Sequence, residues 1–155
     1  MTEAQTGALA YLDANVFIDF VEGKPELAEK ARDLFLGLGG ATGVFTTSEL
    51  TLAEVLSPSR TSPGQRRLYM SLIIWNPALA LIPISRDILI ETAELRKYSG
   101  HKLPDAIHVV TALRQKCRFM ISRDKDMDKL PTGALSRLEP GPTTVAALIE
   151  AFRGN

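Results

Sequence analysis

Cysteine is nearly absent from this chain, apolar runs of membrane length are missing, and neither sign of charge is in excess. The single thiol, Cys117, cannot close an internal disulfide, which fits a reducing compartment. Beside the apolar Phe119-Met120-Ile121 run it reads as a small core residue rather than a nucleophile. No apolar stretch reaches the roughly 18 residues that a bilayer crossing needs. Met1 to Gly7 carries no basic region ahead of a long apolar core, so a signal peptide is not expected. These absences predict a cytoplasmic protein without membrane contact. Lys plus Arg and Asp plus Glu balance at 18 each, so no global field steers the chain toward nucleic acid, and such binding must rely on local patches.

What is present suits an ordinary globular fold. At 155 residues and 45% hydrophobic content, the chain is expected to form one domain over residues 1–155, with residues 1–7 as a flexible N-terminal extension. Ala8 to Leu12 is a short apolar run of the kind buried on both faces of a parallel sheet. It ends on Asp13, with Asn15 two residues on. An acid at a strand tip can cap the helix that follows. It can equally face the mouth at the carboxyl ends of the strands, where open α/β sheets bind ligands.

Further along, Asn15 to Val21 reads as a short helix closed by Gly23. Pro25 opens a second, with Leu27, Ala28, Ala31, Leu34, Phe35 and Leu38 at helical spacing, up to Gly39-Gly40. Val44 to Thr46 is a second strand. Thr46 and Glu49 carry the spacing of a capping box for a helix through Leu56, with Leu50, Ala53 and Leu56 on its apolar side and Glu54 within it. The breaker-rich stretch from Ser57 to Gly64 is a loop. Gln65 to Trp75 is a helix with Leu68, Leu72 and Trp75 as core candidates. Leu79 to Ile84 is a strand, and Ser85 caps a helix to about Tyr98. Pro104 begins a helix apolar nearly all round, with Asp105 in its first turn, so this element is expected in the middle of the fold. Arg118 to Ser122 is a fourth strand, Leu135 to Leu138 a weak fifth, and Thr143 or Thr144 caps a last amphipathic helix. Strands alternating with helices predict a three-layer α/β/α sandwich on a mostly parallel five-stranded sheet.

Four acids stand out by location: Asp13 ending strand one, Glu54 inside a helix, Asp105 opening a buried helix, and Asp124 just past strand four. Brought together in a low-dielectric site, like charges repel unless a proton or a cation intervenes. Oxygen ligands without His or Cys at metal spacing select Mg²⁺ or Mn²⁺ rather than Zn²⁺. Hydrolysis of a phosphodiester suits such a site. Of the two histidines, His108 lies one turn beyond Asp105 and is expected to pack or hydrogen-bond, while His101 is expected in a loop.

With Leu12-Asp13-Ala14-Asn15-Val16-Phe17-Ile18, Ser48-Glu49-Leu50-Thr51-Leu52-Ala53-Glu54-Val55, Leu103-Pro104-Asp105-Ala106-Ile107-His108 and Met120-Ile121-Ser122-Arg123-Asp124-Lys125-Asp126-Met127 in register, the chain resembles PIN-domain proteins. Among these it is most similar to the VapC-type toxic ribonucleases of toxin–antitoxin pairs. The resemblance implies a PIN (RNase H-like) fold and Mg²⁺- or Mn²⁺-dependent endoribonuclease activity on RNA. It implies catalytic and metal-holding roles for Asp13, Glu54, Asp105 and Asp124, with Asp126 as an assisting acid. Supporting roles fall to Asn15, Ser48 and Ser122, the last standing where Thr is commoner in the family. Arg123, Arg60, Arg66 and Arg67 are candidate contacts to RNA phosphates. A homodimer bound by a cognate antitoxin is implied as well. Two rivals remain: a haloacid dehalogenase-like phosphatase with Asp13 as nucleophile, although Asn15 stands where that family has a second Asp, and a catalytically silent PIN-like module that only binds a protein.

Overall fold

The structure is a computed structural model and describes residues 8–57, 61–131 and 133–154. Expectations for residues 1–7 and for Arg60 fall outside this range. Among the described residues five short strands form one sheet: β1 (Ala10–Leu12), β2 (Phe45–Ser48), β3 (Leu79–Ile82), β4 (Phe119–Ile121) and β5 (Ser136–Leu138). Their order is β3-β2-β1-β4-β5, and every neighbouring pair runs parallel. The helices are α1 (Ala14–Glu22), α2 (Pro25–Gly37), α3 (Leu50–Val55), α4 (Pro63–Ile73), α5 (Arg86–Ser99), α6 (Leu103–Arg114) and α7 (Pro142–Arg153).

The two-residue period of a strand divides the core between the faces of this sheet. Ala10, Leu12 and Ile121 join one apolar cluster with Phe17 of α1, Leu34 of α2, Tyr69 of α4 and Leu148 of α7. Tyr11 and Met120, between them in sequence, point the other way onto Val109 and Ala112 of α6. Helix α5 closes that side through Ile88, which packs with Ile107 and Val110. The result is the three-layer α/β/α architecture expected. Helix α6 is buried from Ala106 to Ala112, as a helix without a polar face must be. Cys117 is buried, and burial pushes its thiol up to about 12, so it is a core residue and an inert one.

Four local expectations are corrected. Thr46 and Glu49 form no capping box. Strand β2 continues to Ser48, the Thr46 hydroxyl donates to the carbonyl of Ala80 on β3, and Ser48 Oγ accepts from the Leu50 N–H at 3.0 Å. Along α3, Thr51 and Val55 are buried, Leu50 and Leu56 pack half-buried against the core as expected, and Ala53 is exposed. Helix α4 starts two residues before Gln65, capped by Ser62 in a reciprocal box with Gln65. That phase buries Tyr69 and Ile73 and leaves Leu68 and Trp75 at the surface. At the last helix, Gly141 occupies the cap position with no side-chain bond, and the Thr144 hydroxyl turns back to the carbonyl of Glu139.

Capping Ser or Thr residues typically contribute about 1 kcal/mol. Ser62→Ala is expected to lower the melting temperature by roughly 2–4 °C in a domain of this size. Thr46→Ala should leave helix content unchanged; calorimetry and circular dichroism check the pair.

Candidate acidic metal site

Parallel strands deliver their carboxyl ends to one edge, where the central strand β1 and its neighbour β4 end side by side, with Leu12 paired to Ile121. The next residues out are Asp13 and Ser122. Asp13 caps α1, its Oδ1 accepting from the Ala14 N–H at 2.8 Å. Its Oδ2 accepts from Ser122 Oγ at 2.7 Å and from Asn15 Nδ2 at 3.3 Å. Asp13 thus caps α1 and stands at the carboxyl edge of the sheet.

Ser122 Oγ is a junction. It donates to Asp13 and accepts from Asn15 Nδ2 and from the Asp124 N–H, both at 3.0 Å, so the hydroxyl's donor and two acceptor positions are filled. Asn15 completes the grip by accepting the Arg123 N–H on its Oδ1. Asp124 Oδ1 accepts from the Asp126 N–H and so caps the 3₁₀ turn Lys125–Asp128. Asp126 itself is exposed on the rim. Arg123 turns its guanidinium onto Asp19, while Arg66 and Arg67 lie exposed on α4.

Glu54 reaches the same edge from the other side. Its Oε1 is 2.6 Å from His108 Nε2, and that nitrogen is 3.8 Å from Asp13 Oδ1. His108 is fully buried, with Nδ1 hydrogen-bonded to the Tyr11 hydroxyl, which also accepts the Ser48 N–H. The role of Ser48 is thus to seat α3, which carries Glu54, through two backbone bonds. His108 hydrogen-bonds, as expected from the sequence. His101 sits in the α5–α6 connection, yet it is buried, and neither ring nitrogen finds a partner among the described residues.

The charges interact as their positions require. Burial raises the Asp13 carboxyl above its ordinary value, against the pull of His108 and the Ser122 bond. Asp105, in the first turn of α6, is raised by burial and then by the negative charges of Asp13 and Asp124. Burial pushes the His108 imidazole down, but the Glu54 bond and the charges of Asp13, Glu54 and Asp105 outweigh it, and the net shift is upward. Asp13, Glu54, Asp105 and Asp124 therefore share one electrostatic neighbourhood. They do not form a closed shell: among the described residues, no three His, Cys, Asp or Glu side chains are grouped to hold a metal ion. In donor type and surplus charge the four fit a hard divalent cation. Tyr11 and Asp19 escaped the sequence reading. Tyr11 was hidden by looking like any core aromatic, whereas Asp19, an acid in the apolar run Phe17-Ile18-Asp19-Phe20 one turn past Asn15, was a usable signal.

An all-parallel sheet whose central strand ends at an acidic edge belongs to the class of open α/β proteins whose ligands bind at the carboxyl ends of the strands. Comparison with known proteins narrows the class. The PIN domain family model matches residues 10–133. The fold is similar to a toxin–antitoxin complex from Klebsiella pneumoniae, at 27% identity and a TM-score of 0.61, over 81% of this chain and 94% of that one. It is also similar to VapBC2 from Rickettsia felis bound to a promoter DNA fragment, at 15% identity and 0.64, over 84% and 98%. A third similar structure is Mycobacterium tuberculosis VapC20, a sarcin–ricin loop cleaving toxin, at 13% and 0.63, over 77% and 92%. No curated protein sequence matches the chain. The chain belongs to the PIN domain family.

With Asp13, Asp105 and His108 all displaced upward, the folded chain binds more protons than the unfolded one. Each contributes stability that is complete below its unfolded value and is lost as pH rises through its folded value. The metal-free chain should lose stability as pH climbs from the ordinary Asp value of 3.8 to beyond the ordinary His value of 6.5. Asp105→Asn should raise the metal-free melting temperature at about pH 8, and the gain should fade on acidification. Melts in chelator across that range measure both.

Proposed function

We propose that this chain is a divalent-metal-dependent endoribonuclease, the toxin of a type II toxin–antitoxin pair. One observation carries the reading: Asp13, Glu54, Asp105 and Asp124, far apart in sequence, share one electrostatic neighbourhood at the carboxyl edge of the sheet, with more negative charge than the neighbouring His108 offsets. The relatives support it. The Klebsiella pneumoniae complex is a toxin–antitoxin pair, and the VapC20 toxin cleaves the sarcin–ricin loop.

Asp13, Glu54, Asp105 and Asp124 are the residues that would hold Mg²⁺ or Mn²⁺, with Asp126 available from the rim. Such a cation, when bound, supplies a water of lowered pKa and neutralises charge on a phosphodiester. Ser122 and Asn15 orient Asp13, and by accepting the Asp124 and Arg123 N–H groups respectively they fix the start of the loop carrying the fourth acid. Tyr11 and His108 orient Glu54. Arg66 and Arg67 can contact phosphates without reading bases. We assign the partners as an RNA substrate, a cognate antitoxin and a second copy of this chain, in the cytoplasm, with residues 1–155 acting as one domain. The phosphatase pattern needs a second acid two residues after Asp13. Asn15 occupies that position, committed to Asp13, Ser122 and the Arg123 backbone. No helix among the described residues is long and apolar enough to cross a membrane.

Loss of one metal-holding carboxylate removes several kcal/mol of transition-state stabilisation, at about 1.4 kcal/mol per tenfold. Asp13→Asn and Glu54→Gln should each cut Mn²⁺-dependent cleavage of single-stranded or looped RNA by on the order of a hundredfold or more, and chelator should abolish it. Cleavage unmoved by these changes rejects the assignment, and phosphate release from a small phosphomonoester supports the phosphatase instead.

A further inference from the structure

Asp19 is 3% exposed on a helix face flanked by Phe17 and Phe20. A carboxylate so placed is costly unless paired and hydrogen-bonded. It is paired by a fork: Arg123 Nε meets Asp19 Oδ2 at 2.5 Å, and Arg123 Nη2 meets Oδ1 at 2.9 Å. Both carboxylate oxygens are engaged, and the geometry is the bidentate one that arginine forms and lysine does not. Arg123 stands between Ser122 and Asp124, and its backbone N–H is held by Asn15, one helical turn before Asp19. Two residues on one face of α1 therefore grip the same short segment after β4, one by its backbone and one by its side chain. What they hold is the loop that presents Asp124.

We infer that Asp19 and Arg123 are positioning residues, which lock the Asp124 loop to α1 and so set how tightly the acidic edge takes a divalent cation. The inference rests on the nuclease reading and gives Arg123 an internal task in place of a phosphate contact. An arginine that served RNA would direct its fork outward, whereas this one closes on a buried acid of its own chain. The link to the metal-holding acids runs from Asp19 through the two bonds of the fork to Arg123, and from there through its covalent neighbours: Ser122, which donates to Asp13, and Asp124, whose N–H donates to Ser122 Oγ.

The test uses the full chain, wild type against Asp19→Asn, Arg123→Gln and Arg123→Lys. Each variant's melting temperature is titrated with Mn²⁺ against its own metal-free value, beside RNA cleavage at low and saturating Mn²⁺. Loss of an outer partner of a metal ligand typically weakens metal affinity about 10-fold or more. Asp19→Asn and Arg123→Gln should both shift the Mn²⁺ midpoint upward by roughly that factor. Excess Mn²⁺ should restore cleavage with the KM for RNA unchanged. The double variant should be no worse than either single, because the two act as one unit. Arg123→Lys, which keeps the charge but loses the fork, should shift the midpoint as well. It decides the matter should Asp19→Asn fail to fold. An unchanged Mn²⁺ midpoint in the variants, with a raised KM for RNA in Arg123→Gln alone, overturns the inference and returns Arg123 to the RNA. A wild-type chain whose melting temperature ignores Mn²⁺ overturns the nuclease reading and this inference together.

Discussion

The rest of the structure is arranged around one constraint, a carboxylate taken almost out of water at the tip of the central strand. Asp13 is 6% exposed. Burying that charge alone would cost several kcal/mol, and the fold answers with three donors of different origin: the first amide of α1, the hydroxyl of Ser122 and the amide of Asn15. Each donor depends on another part of the architecture. The helix amide is present because α1 starts immediately after β1, and the hydroxyl because β4 lies beside β1 in register. A slip of β4 by one residue would turn Ser122 to the opposite face and leave Asp13 short of its best partner.

Two arcs of side chains run outward from that point. On one, Ser122 and Asn15 carry order into the Asp124 loop. On the other, Tyr11 and His108 carry it to Glu54 across the sheet face covered by α6. Tyr11, within β1, turns its side chain to the sheet face covered by α6, which is how a residue two before the acid comes to serve the opposite arc. Asp105 enters from α6, and His108 and His101 offset its charge only in part. The upward displacement of its carboxyl follows from burial first and then from the charges of Asp13 and Asp124.

Much of this was legible in the amino-acid order. The apolar run into Asp13, the unbroken apolar surface of α6 and the alternation of strands with helices each signal burial directly, and burial dictates the layers. Where the reading failed, the cause was phase. Thr46 to Glu49 has cap spacing, but pairing to β3 holds Thr46 in the strand, and a ladder outweighs a local cap. In α4, starting the helix two residues late turned its inward face from Tyr69 and Ile73 to Leu68 and Trp75. The hydrogen-bond partners of the acids were the least legible. Tyr11 to His108 and Asp19 to Arg123 join residues 97 and 104 positions apart, and a single sequence carries no mark of who meets whom at such separations.

Strand order also has a consequence in time. The first strand to be synthesised lies in the middle of the sheet, and one of its two neighbours arrives late, since Ser122 follows Asp13 by 109 residues. A nascent chain emerging from a ribosome can form β1 and β2 early, but it has neither α6 nor β4 to finish the acidic edge. On the nuclease reading, the cutting centre closes only after β4 and the Asp124 loop have been made, long after Asp13 has left the ribosome.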